Sequence, residues 1–225
     1  MMGQGDQLKF SGNDNNHFIT IAGNIGSGKT TLTKKLASHF SWNSYFESVQ
    51  DNPYLADFYT DMKRWSFPLQ VYFLTHRFKT HKEIESSKTV SIQDRSIYED
   101  AHIFARSLFE AGDMSDKDYE NYMTLYMTMS SFLKPPGLMI YLRRSIPFLS
   151  ERIFRRGRDY EKVISRDYLE RLNQYYEQWC QSYTMGKILF VNTDKLDFLE
   201  NEHDFLQLVE KIQTLLGGRE QMLEF

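Results

Sequence analysis

The sequence predicts an α/β fold in which a five-stranded parallel sheet is covered by helices on both faces. Two observations predict it. Short apolar segments alternate with longer segments of helical spacing, and the first strand leads into a glycine turn that opens a helix. Apolar strands alternating with helices are typical of parallel sheets buried on both sides. The predicted strands span residues 17–22, 44–46, 89–93, 138–142 and 188–191.

Helical segments are predicted between and after these strands. Pro53 suits the first turn of a short helix, and Pro68 lies near the start of a long helix or at a kink in it. Gly112 and the Pro135-Pro136-Gly137 sequence separate neighbouring helical segments. The predicted helices span residues 29–40, 53–61, 62–86, 97–110, 115–133, 146–156, 167–185 and 204–216.

Length and composition indicate one large domain. The chain has 225 residues, of which 41% are hydrophobic and 25% charged, as is ordinary for a globular protein. No linker or repeat is visible. We expect a flexible leader over residues 1–16, one domain over 17–217 with a lid at about 152–165, and a C-terminal tail over 218–225.

Charge and cysteine content exclude several classes of protein. The net charge of −3 and the pI near 6.1 argue against a general nucleic-acid binder, which would usually be basic. No apolar run approaches 18 residues, and no secretory signal is readable. The single cysteine, Cys180, excludes an internal disulfide and a multi-cysteine metal site. We therefore expect a cytoplasmic protein without nucleic-acid or membrane partners.

A phosphate-binding loop follows the first strand. The segment GNIGSGKT matches the pattern G-x-x-x-x-G-K-[ST] in the context that this motif requires, between a strand and a helix. Its backbone N–H groups would converge on phosphate oxygens, Lys29 would reach the β- and γ-phosphates, and the Thr30 hydroxyl would bind Mg²⁺. The residues predicted to contact the donor are Gly23, Asn24, Ile25, Gly26, Ser27, Gly28, Lys29, Thr30 and Thr31.

The loop predicts that a nucleoside triphosphate binds, but it does not distinguish between a GTPase, a mechanical ATPase and a small-molecule kinase. A GTPase usually carries D-x-x-G and N-K-x-D, whereas residues 192–195 read NTDK, in the wrong order, and no D-x-x-G follows the third strand. A mechanical ATPase is usually longer or repeated. A small-molecule kinase needs arginines that close over the phosphates.

An arginine-rich segment meets that need. Residues 143–158 contain six arginines and one acidic residue. Arg152 and Arg156 are four residues apart and share a helix face, and Arg158 follows Gly157, where the backbone can turn. Guanidinium groups match phosphate oxygens, so the arginines at 152–158 are predicted to belong to the lid of a kinase.

Five ordered motifs extend the argument to the phosphate acceptor. They are GNIGSGKTT at 23–31, E-x-x-x-x-NPY at 47–54, RWSFPLQ at 64–70, DRSIYED at 94–100 and RxxxRGR at 152–158. In this order they resemble the deoxyribonucleoside kinases, which include deoxycytidine, deoxyguanosine and deoxyadenosine kinases, over about residues 18–216. The resemblance implies the P-loop kinase fold, Mg²⁺- and ATP-dependent phosphorylation of a deoxyribonucleoside 5′-hydroxyl, a role in nucleotide salvage, and a homodimer.

The resemblance also implies the catalytic residues. Glu47 is the base that takes the proton from the 5′-hydroxyl, and Arg95 contacts both Glu47 and the reacting oxygen. Asp94 holds Mg²⁺ with Thr30; many relatives carry glutamate there, so a contact through water is expected. The residues that stabilise developing charge are Lys29, Arg95, Arg152, Arg156 and Arg158.

Two predicted helices would wall the base pocket. Spacing places Gln70, Phe73 and Arg77 on one helix face, and Asp100 and Phe104 on another. By resemblance Gln70 reads the base edge, Arg77 and Asp100 form a charged pair near it, and Phe104 stacks on the base. We expect core packing for Phe73. Leu69 replaces the other aromatic ring of the pocket wall. By resemblance Tyr59 and Glu161 bind the sugar 3′-hydroxyl. Asp197 and Phe198 are expected to wrap the donor base, a role for which Asp194 is the alternative to Asp197.

The preferred base stays open at this point. A glutamine amide both donates and accepts, so Gln70 suits deoxyadenosine or deoxycytidine, whereas guanine-selective relatives carry glutamate in its place. The alternatives are a deoxyguanosine-preferring kinase, a nucleoside monophosphate kinase of the thymidylate kinase type, and a non-catalytic nucleotide-binding subunit.

Overall fold

A parallel sheet of six strands forms the centre of the computed structural model, which describes residues 17–46, 52–158, 161, 164–217 and 222–224. The strands lie in the order β2-β3-β1-β4-β5-β6. They are β1 Phe18–Gly23, β2 Asn43–Tyr45, β3 Ser91–Asp94, β4 Leu138–Arg143, β5 Lys187–Asn192 and β6 Met222–Glu224. Every pair of neighbouring strands is parallel.

The five predicted strands are all present, which confirms the α/β fold with a parallel sheet. The sixth strand corrects the prediction of a five-stranded sheet. It lies in the segment expected to be a tail and pairs with β5, with Met222 opposite Ile188 and Glu224 opposite Phe190.

The helices follow the predicted order, and those predicted over 29–40, 62–86 and 146–156 keep their bounds. They are α1 Lys29–Phe40, α2 Leu55–Thr60, α3 Met62–Ser86, α4 Ile97–Glu99, α5 Arg106–Glu110, α6 Asp116–Ser130, α7 Ile146–Arg156, α8 Arg166–Gln181 and α9 Glu202–Leu216. A π-helical segment, Asp100–Ala105, joins α4 to α5. Pro68 lies inside α3, which runs unbroken past it.

Helices cover both faces of the sheet. On one face, Leu32 of α1 and Ile212 of α9 pack against Ile19 of β1 in a buried cluster. On the other, Leu172 of α8 packs with Met139 of β4. Alternate residues of a strand point to opposite faces, so each side receives its own core.

A third buried cluster joins the helices that lie beside the sheet. Leu74 of α3, Tyr98 of α4 and Tyr122 of α6 belong to it. Cys180, a residue of α8, is fully buried. Among the described residues, no helix is long and apolar enough to cross a membrane.

Candidate active site

The loop after β1 is held in place by a buried asparagine. The Asn24 side chain accepts a hydrogen bond from the Ile25 N–H at 2.7 Å. It also donates to the Leu169 carbonyl at 2.9 Å and to Asn173 Oδ1 at 2.6 Å, so the loop is anchored to α8. Gly26 has φ +84°, a left-handed conformation that glycine adopts without strain. The loop therefore keeps its curvature before any ligand binds.

Lys29 and Thr30 lie where the loop passes into α1. The Lys29 ammonium donates to the carbonyls of Gly23 and Asn24, both at 2.8 Å. The Thr30 hydroxyl donates to Asp94 Oδ2 at 2.5 Å, across the gap between α1 and the end of β3. A cation, a hydroxyl and a carboxylate thus meet at the carboxyl edge of the sheet, where ligands of such folds bind.

The Thr30–Asp94 pair fits a magnesium site. Mg²⁺ prefers oxygen ligands and usually takes one or two carboxylates, completing its shell with water and substrate phosphates. In the part of the chain that the structure describes, no cluster of three His, Cys, Asp or Glu residues could hold a metal. Thr30 and Asp94 match the sparse protein contribution that Mg²⁺ requires.

A cavity of about 300 Å³ opens beside this edge, between the loop, α2, α3 and the lid segment. Fourteen predicted site residues line it. They are Ile25, Gly26, Lys29, Thr30, Tyr59, Leu69, Gln70, Asp94, Arg95, Asp100, Phe104, Arg156, Arg158 and Glu161. The other predicted residues that are described lie outside its wall: Gly23, Asn24, Ser27, Gly28, Thr31, Arg77, Arg152, Asp197 and Phe198. Glu47 lies outside the described residues.

A buried amide lies on the cavity wall beside apolar and aromatic side chains. Gln70 is only 2% exposed, and its Oε1 atom has no hydrogen-bond partner among the described residues. Leu69 and Phe104 form wall beside it, and the Arg95 guanidinium lies 4.4 Å from the centre of the Phe104 ring. This arrangement suits a flat, polar-edged ring such as a nucleobase.

Arg77 lies behind the cavity wall. Its Nε atom is 2.6 Å from Asp100 Oδ2, and both side chains are buried. Its Nη1 atom donates to the carbonyls of Asp94 at 3.3 Å and Arg95 at 3.1 Å. Arg77 therefore supports the turn after β3, while Asp100 reaches the wall itself.

Two of the three predicted lid arginines converge on one carboxylate. Arg156 donates to Glu161 from Nε at 2.9 Å and from Nη2 at 2.5 Å, and Arg158 Nη1 lies 3.4 Å from the same carboxylate. Arg152 stands apart, with its Nη1 atom 3.0 Å from the position that a Cβ atom on Gly28 would occupy. Arg156 and Arg158 therefore line the cavity, whereas Arg152 lies next to the phosphate loop.

The two residues predicted to wrap the donor base, Asp197 and Phe198, differ in exposure. Phe198 is buried in the sheet core, with its Cζ atom 3.6 Å from a Cβ atom built on Gly28. Asp197 is exposed and accepts hydrogen bonds from two backbone N–H groups of the following turn. Both carboxylate oxygens of Asp194 lie 3.1 Å from the Ser145 backbone nitrogen. The Asp194 carboxylate therefore accepts a hydrogen bond from the residue that precedes α7.

Sequence reasoning missed several residues of this site. Phe73 lines the cavity rather than the core alone, and its helical spacing from Gln70 was the available signal. Glu99 is fully buried next to Arg95, and the S-x-x-E pattern that ends in it is a capping-box signature. Besides Phe73, the unpredicted residues of the cavity wall are Phe46, Leu55, Phe58 and Tyr168.

Burial shifts the pKa of two groups here. It raises the pKa of Glu99, against the opposing effect of Arg95, Lys29 and Arg77. It raises the pKa of Tyr168 on the cavity wall to about 12, so this hydroxyl stays neutral at physiological pH.

Comparison with known proteins places these features in one family. The model of the deoxynucleoside kinase family matches residues 19–217. A deoxyadenosine/deoxycytidine kinase of Bacillus subtilis is 39% identical over 92% of this chain and 96% of its own length. A deoxyguanosine kinase of the same organism is 36% identical over 88% and 97%.

A solved structure agrees with these relatives. The deoxyadenosine kinase from M. mycoides with bound dCTP superposes with a TM-score of 0.77 at 29% identity, over 88% of this chain and 99% of that one. The chain therefore belongs to the deoxynucleoside kinase family, and its reaction is the ATP-dependent phosphorylation of a deoxyribonucleoside at the 5′-hydroxyl.

Proposed function

We propose that the chain phosphorylates deoxyadenosine, deoxycytidine or both, with Mg²⁺ and ATP, as a step of nucleotide salvage in the cytoplasm. The observation that carries the proposal is that Lys29 and Thr30 line the same cavity as Gln70 and Glu161. A phosphoryl donor on the loop and a nucleoside in the cavity would then meet at the edge of the sheet.

The acceptor would be oriented by both ends of the cavity. Gln70 would pair with the base edge, Phe104 would stack on the base, and Tyr59 with Glu161 would bind the 3′-hydroxyl. A carboxylate within hydrogen-bond reach of the 5′-hydroxyl can take its proton, a role we assign to Glu47. Positioning of this kind supplies much of the catalysis in phosphoryl transfer.

Charge on the transferring group would be stabilised by cations on three elements. Lys29 would bind the β- and γ-phosphates from the loop, Arg95 would approach the reacting oxygen, and the lid arginines would close over the phosphates. Thr30 and Asp94 would hold magnesium, which supplies charge neutralisation of the phosphates when bound. Because Arg156 already pairs with Glu161, sugar binding and lid closure would be coupled.

The base preference is supported by Gln70 and by the relatives. An amide can donate to and accept from the edge of adenine or cytosine, and the Bacillus subtilis relative with 39% identity is named for those two nucleosides. The deoxyguanosine kinase relative, at 36% identity, keeps a deoxyguanosine preference as the second candidate.

A product panel tests the proposal. Purified chain, Mg²⁺ and ATP would be incubated separately with deoxyadenosine, deoxycytidine, deoxyguanosine, thymidine, adenosine and thymidine monophosphate, and each product quantified. We expect monophosphate chiefly from deoxyadenosine or deoxycytidine. A diphosphate made only from thymidine monophosphate would contradict the acceptor assignment, and product chiefly from deoxyguanosine would contradict the base assignment.

We also propose a homodimer, which the resemblance to the deoxyribonucleoside kinases implies. Support comes from apolar side chains near the end of α6, where Met127 is 58% exposed and Phe132 67% exposed. Exposed apolar groups of this kind mark interaction surfaces when they are contiguous. Light scattering should give twice the chain mass of 26.8 kDa, and a monomer mass at micromolar concentration would contradict it.

A further inference from the structure

A fully buried carboxylate joins three elements behind the active site. Glu99 is 0% exposed. Its carboxylate accepts hydrogen bonds from the Ser96 N–H at 3.0 Å, from the Tyr176 hydroxyl at 2.8 Å and from the Gly23 N–H at 3.4 Å. It thereby connects the first residue of the phosphate loop, the turn after β3 and helix α8.

The same carboxylate is next to the guanidinium of Arg95. Glu99 Oε1 lies 4.0 Å from Arg95 Nε, whereas the other buried arginine nearby, Arg77, is paired with Asp100. Burying a carboxylate is costly unless cations and hydrogen bonds compensate it. Glu99 has both a neighbouring guanidinium and hydrogen-bond donors, so its carboxyl group is held in place beside Arg95.

The turn that carries Arg95 is unusual. Arg95 has φ +69°, a left-handed conformation that a side chain disfavours, and its N–H donates to the Ile21 carbonyl at 3.0 Å. The next residue, Ser96, is held by Glu99 in a capping box at the start of α4. Glu99 thus holds the backbone that follows Arg95 through the Ser96 N–H. It also lies next to the Arg95 guanidinium.

Glu99 acts from behind the site. It does not line the cavity, whereas Arg95 does. Tyr176 transfers the restraint to the sheet, since its ring stacks on Tyr141 of β4 with centroids 5.7 Å apart and planes at 11°. Networks behind an active site keep reacting groups within the small tolerance that catalysis allows.

We propose that Glu99 is a positioning residue for phosphoryl transfer, one that holds Arg95 and the Gly23 amide in a fixed relation through Tyr176 and α8. This inference rests on the proposed kinase reaction. It assigns to Glu99 an effect on the reacting geometry rather than on nucleoside binding.

The test replaces the carboxylate by an isosteric amide. Glu99→Gln removes the ionisable group beside Arg95, and its NH₂ group must face at least one of the N–H groups that now donate to the carboxyl oxygens. We expect kcat to fall about 10–100-fold, the range found for residues that orient catalytic groups, with the KM for deoxynucleoside changed by less than about threefold. Tyr176→Phe, which deletes one hydrogen bond, should lower kcat in the same direction by less.

A matched control lies on the next residue of α8. Glu177 pairs with Arg143 at 2.8 Å in a partly exposed ion pair and is outside the cavity wall. Glu177→Gln is the same chemical change on the helix that carries Tyr176. It should leave kcat at the wild-type value, even if it lowers the midpoint of thermal unfolding.

The outcomes separate the two proposals. A wild-type chain that makes no nucleotide product in this assay contradicts the proposed function itself. An active wild type together with a folded Glu99→Gln variant whose kcat is within about twofold of wild type overturns the role of Glu99. An equal loss of kcat in Glu177→Gln overturns it as well. If Glu99→Gln does not fold, Tyr176→Phe decides, and an unchanged kcat there overturns the inference.

Discussion

The side chain to which we assign the choice of base is Gln70. It is buried on the cavity wall, with an acceptor oxygen that no described residue satisfies. A buried polar atom without a partner is costly, so its presence in a cavity indicates that a ligand completes it. A nucleobase edge has the complementary groups, which makes Gln70 the natural reporter of base preference.

Replacing Gln70 by glutamate should shift the preference towards guanine. The carboxylate loses the N–H₂ donor that pairs with an acceptor on adenine or cytosine and gains acceptors for the N–H groups of guanine. Because a good bidentate pair discriminates between bases by about 1–3 kcal/mol, the deoxyadenosine to deoxyguanosine ratio of kcat/KM should fall by about tenfold or more. Steady-state kinetics with both nucleosides measures it.

A control for this substitution is Gln174→Glu, on an exposed position of α8 that does not line the cavity. It makes the same change of charge and should leave the ratio unchanged. A Gln70→Glu variant with the wild-type ratio would remove Gln70 from the base-reading role.

At the residue scale, the sequence could predict which residues belong to the site better than it could predict where their side chains point. Gln70, Phe73 and Arg77 share one helix face by spacing, yet Phe73 lines the cavity while Arg77 lies behind it. The difference comes from Asp100, whose carboxylate draws the arginine to the turn after β3, and such a long-range contact leaves no mark in local spacing. Glu47 lies outside the described residues, so its catalytic role stays a prediction.

Two elements, the phosphate loop and α7, are in close contact at Gly26. A Cβ atom on Gly26 would lie 3.0 Å from the Leu149 carbonyl oxygen and 3.1 Å from Cγ1 of Ile153. Because α7 carries Arg152 and Arg156, this contact sets the distance between the loop and the lid arginines. Glycine is required here both for its φ of +84° and for the missing side chain.

Gly26→Ala should therefore weaken both stability and ATP binding. The left-handed conformation costs alanine about 1–2 kcal/mol, and the contact with the α7 backbone must in addition push the loop or the lid helix away. We expect a lower free energy of unfolding in urea and a several-fold higher KM for ATP. Both measurements can be made on the same preparation.

The chain offers a matched control at Gly112. Its φ is +78°, and a Cβ atom there would meet nothing within 4 Å. Gly112→Ala should show the conformational cost alone, about 1–2 kcal/mol, with an unchanged KM for ATP. An equal rise of KM in both variants would contradict the role of the loop–α7 contact.

At the element scale most of the fold could be predicted. The strands agree with their predicted bounds within two residues, because the alternation of apolar strands with helices is a strong signal. The π-helical segment Asp100–Ala105 was missed, since its apolar spacing is also compatible with an α-helix. Strand β6 was missed because three residues carry too little pattern, and its place is set by pairing with β5.

Across the whole molecule, two histidines lie in surroundings that disfavour their charged form. His81 is buried, with its ring edge-on to Phe18 and Nε2 2.8 Å from the Lys134 carbonyl oxygen. His102 stacks on Trp179 with centroids 5.8 Å apart. Burial lowers the pKa of His81 and of His102, so global stability should depend on pH.

The direction follows from proton binding in the two states. Below a pH of about 6.5 the unfolded chain binds protons at both histidines while the folded chain resists them. Stability is therefore complete above that pH and is lost as the pH falls towards the lower folded pKa values. The raised pKa of Glu99 works in the opposite direction, since the folded chain then binds a proton before the unfolded one does.

A histidine variant isolates this contribution from that of Glu99. In His81→Gln the amide can still donate to the Lys134 carbonyl, but the group no longer titrates. Between pH 7 and pH 5, urea unfolding should show a loss of stability in the wild type that exceeds the loss in His81→Gln. Between pH 7 and 8.5 the two slopes should coincide. Parallel slopes down to pH 5 would mean that His81 accepts its proton in the folded chain, against the burial that the structure gives it.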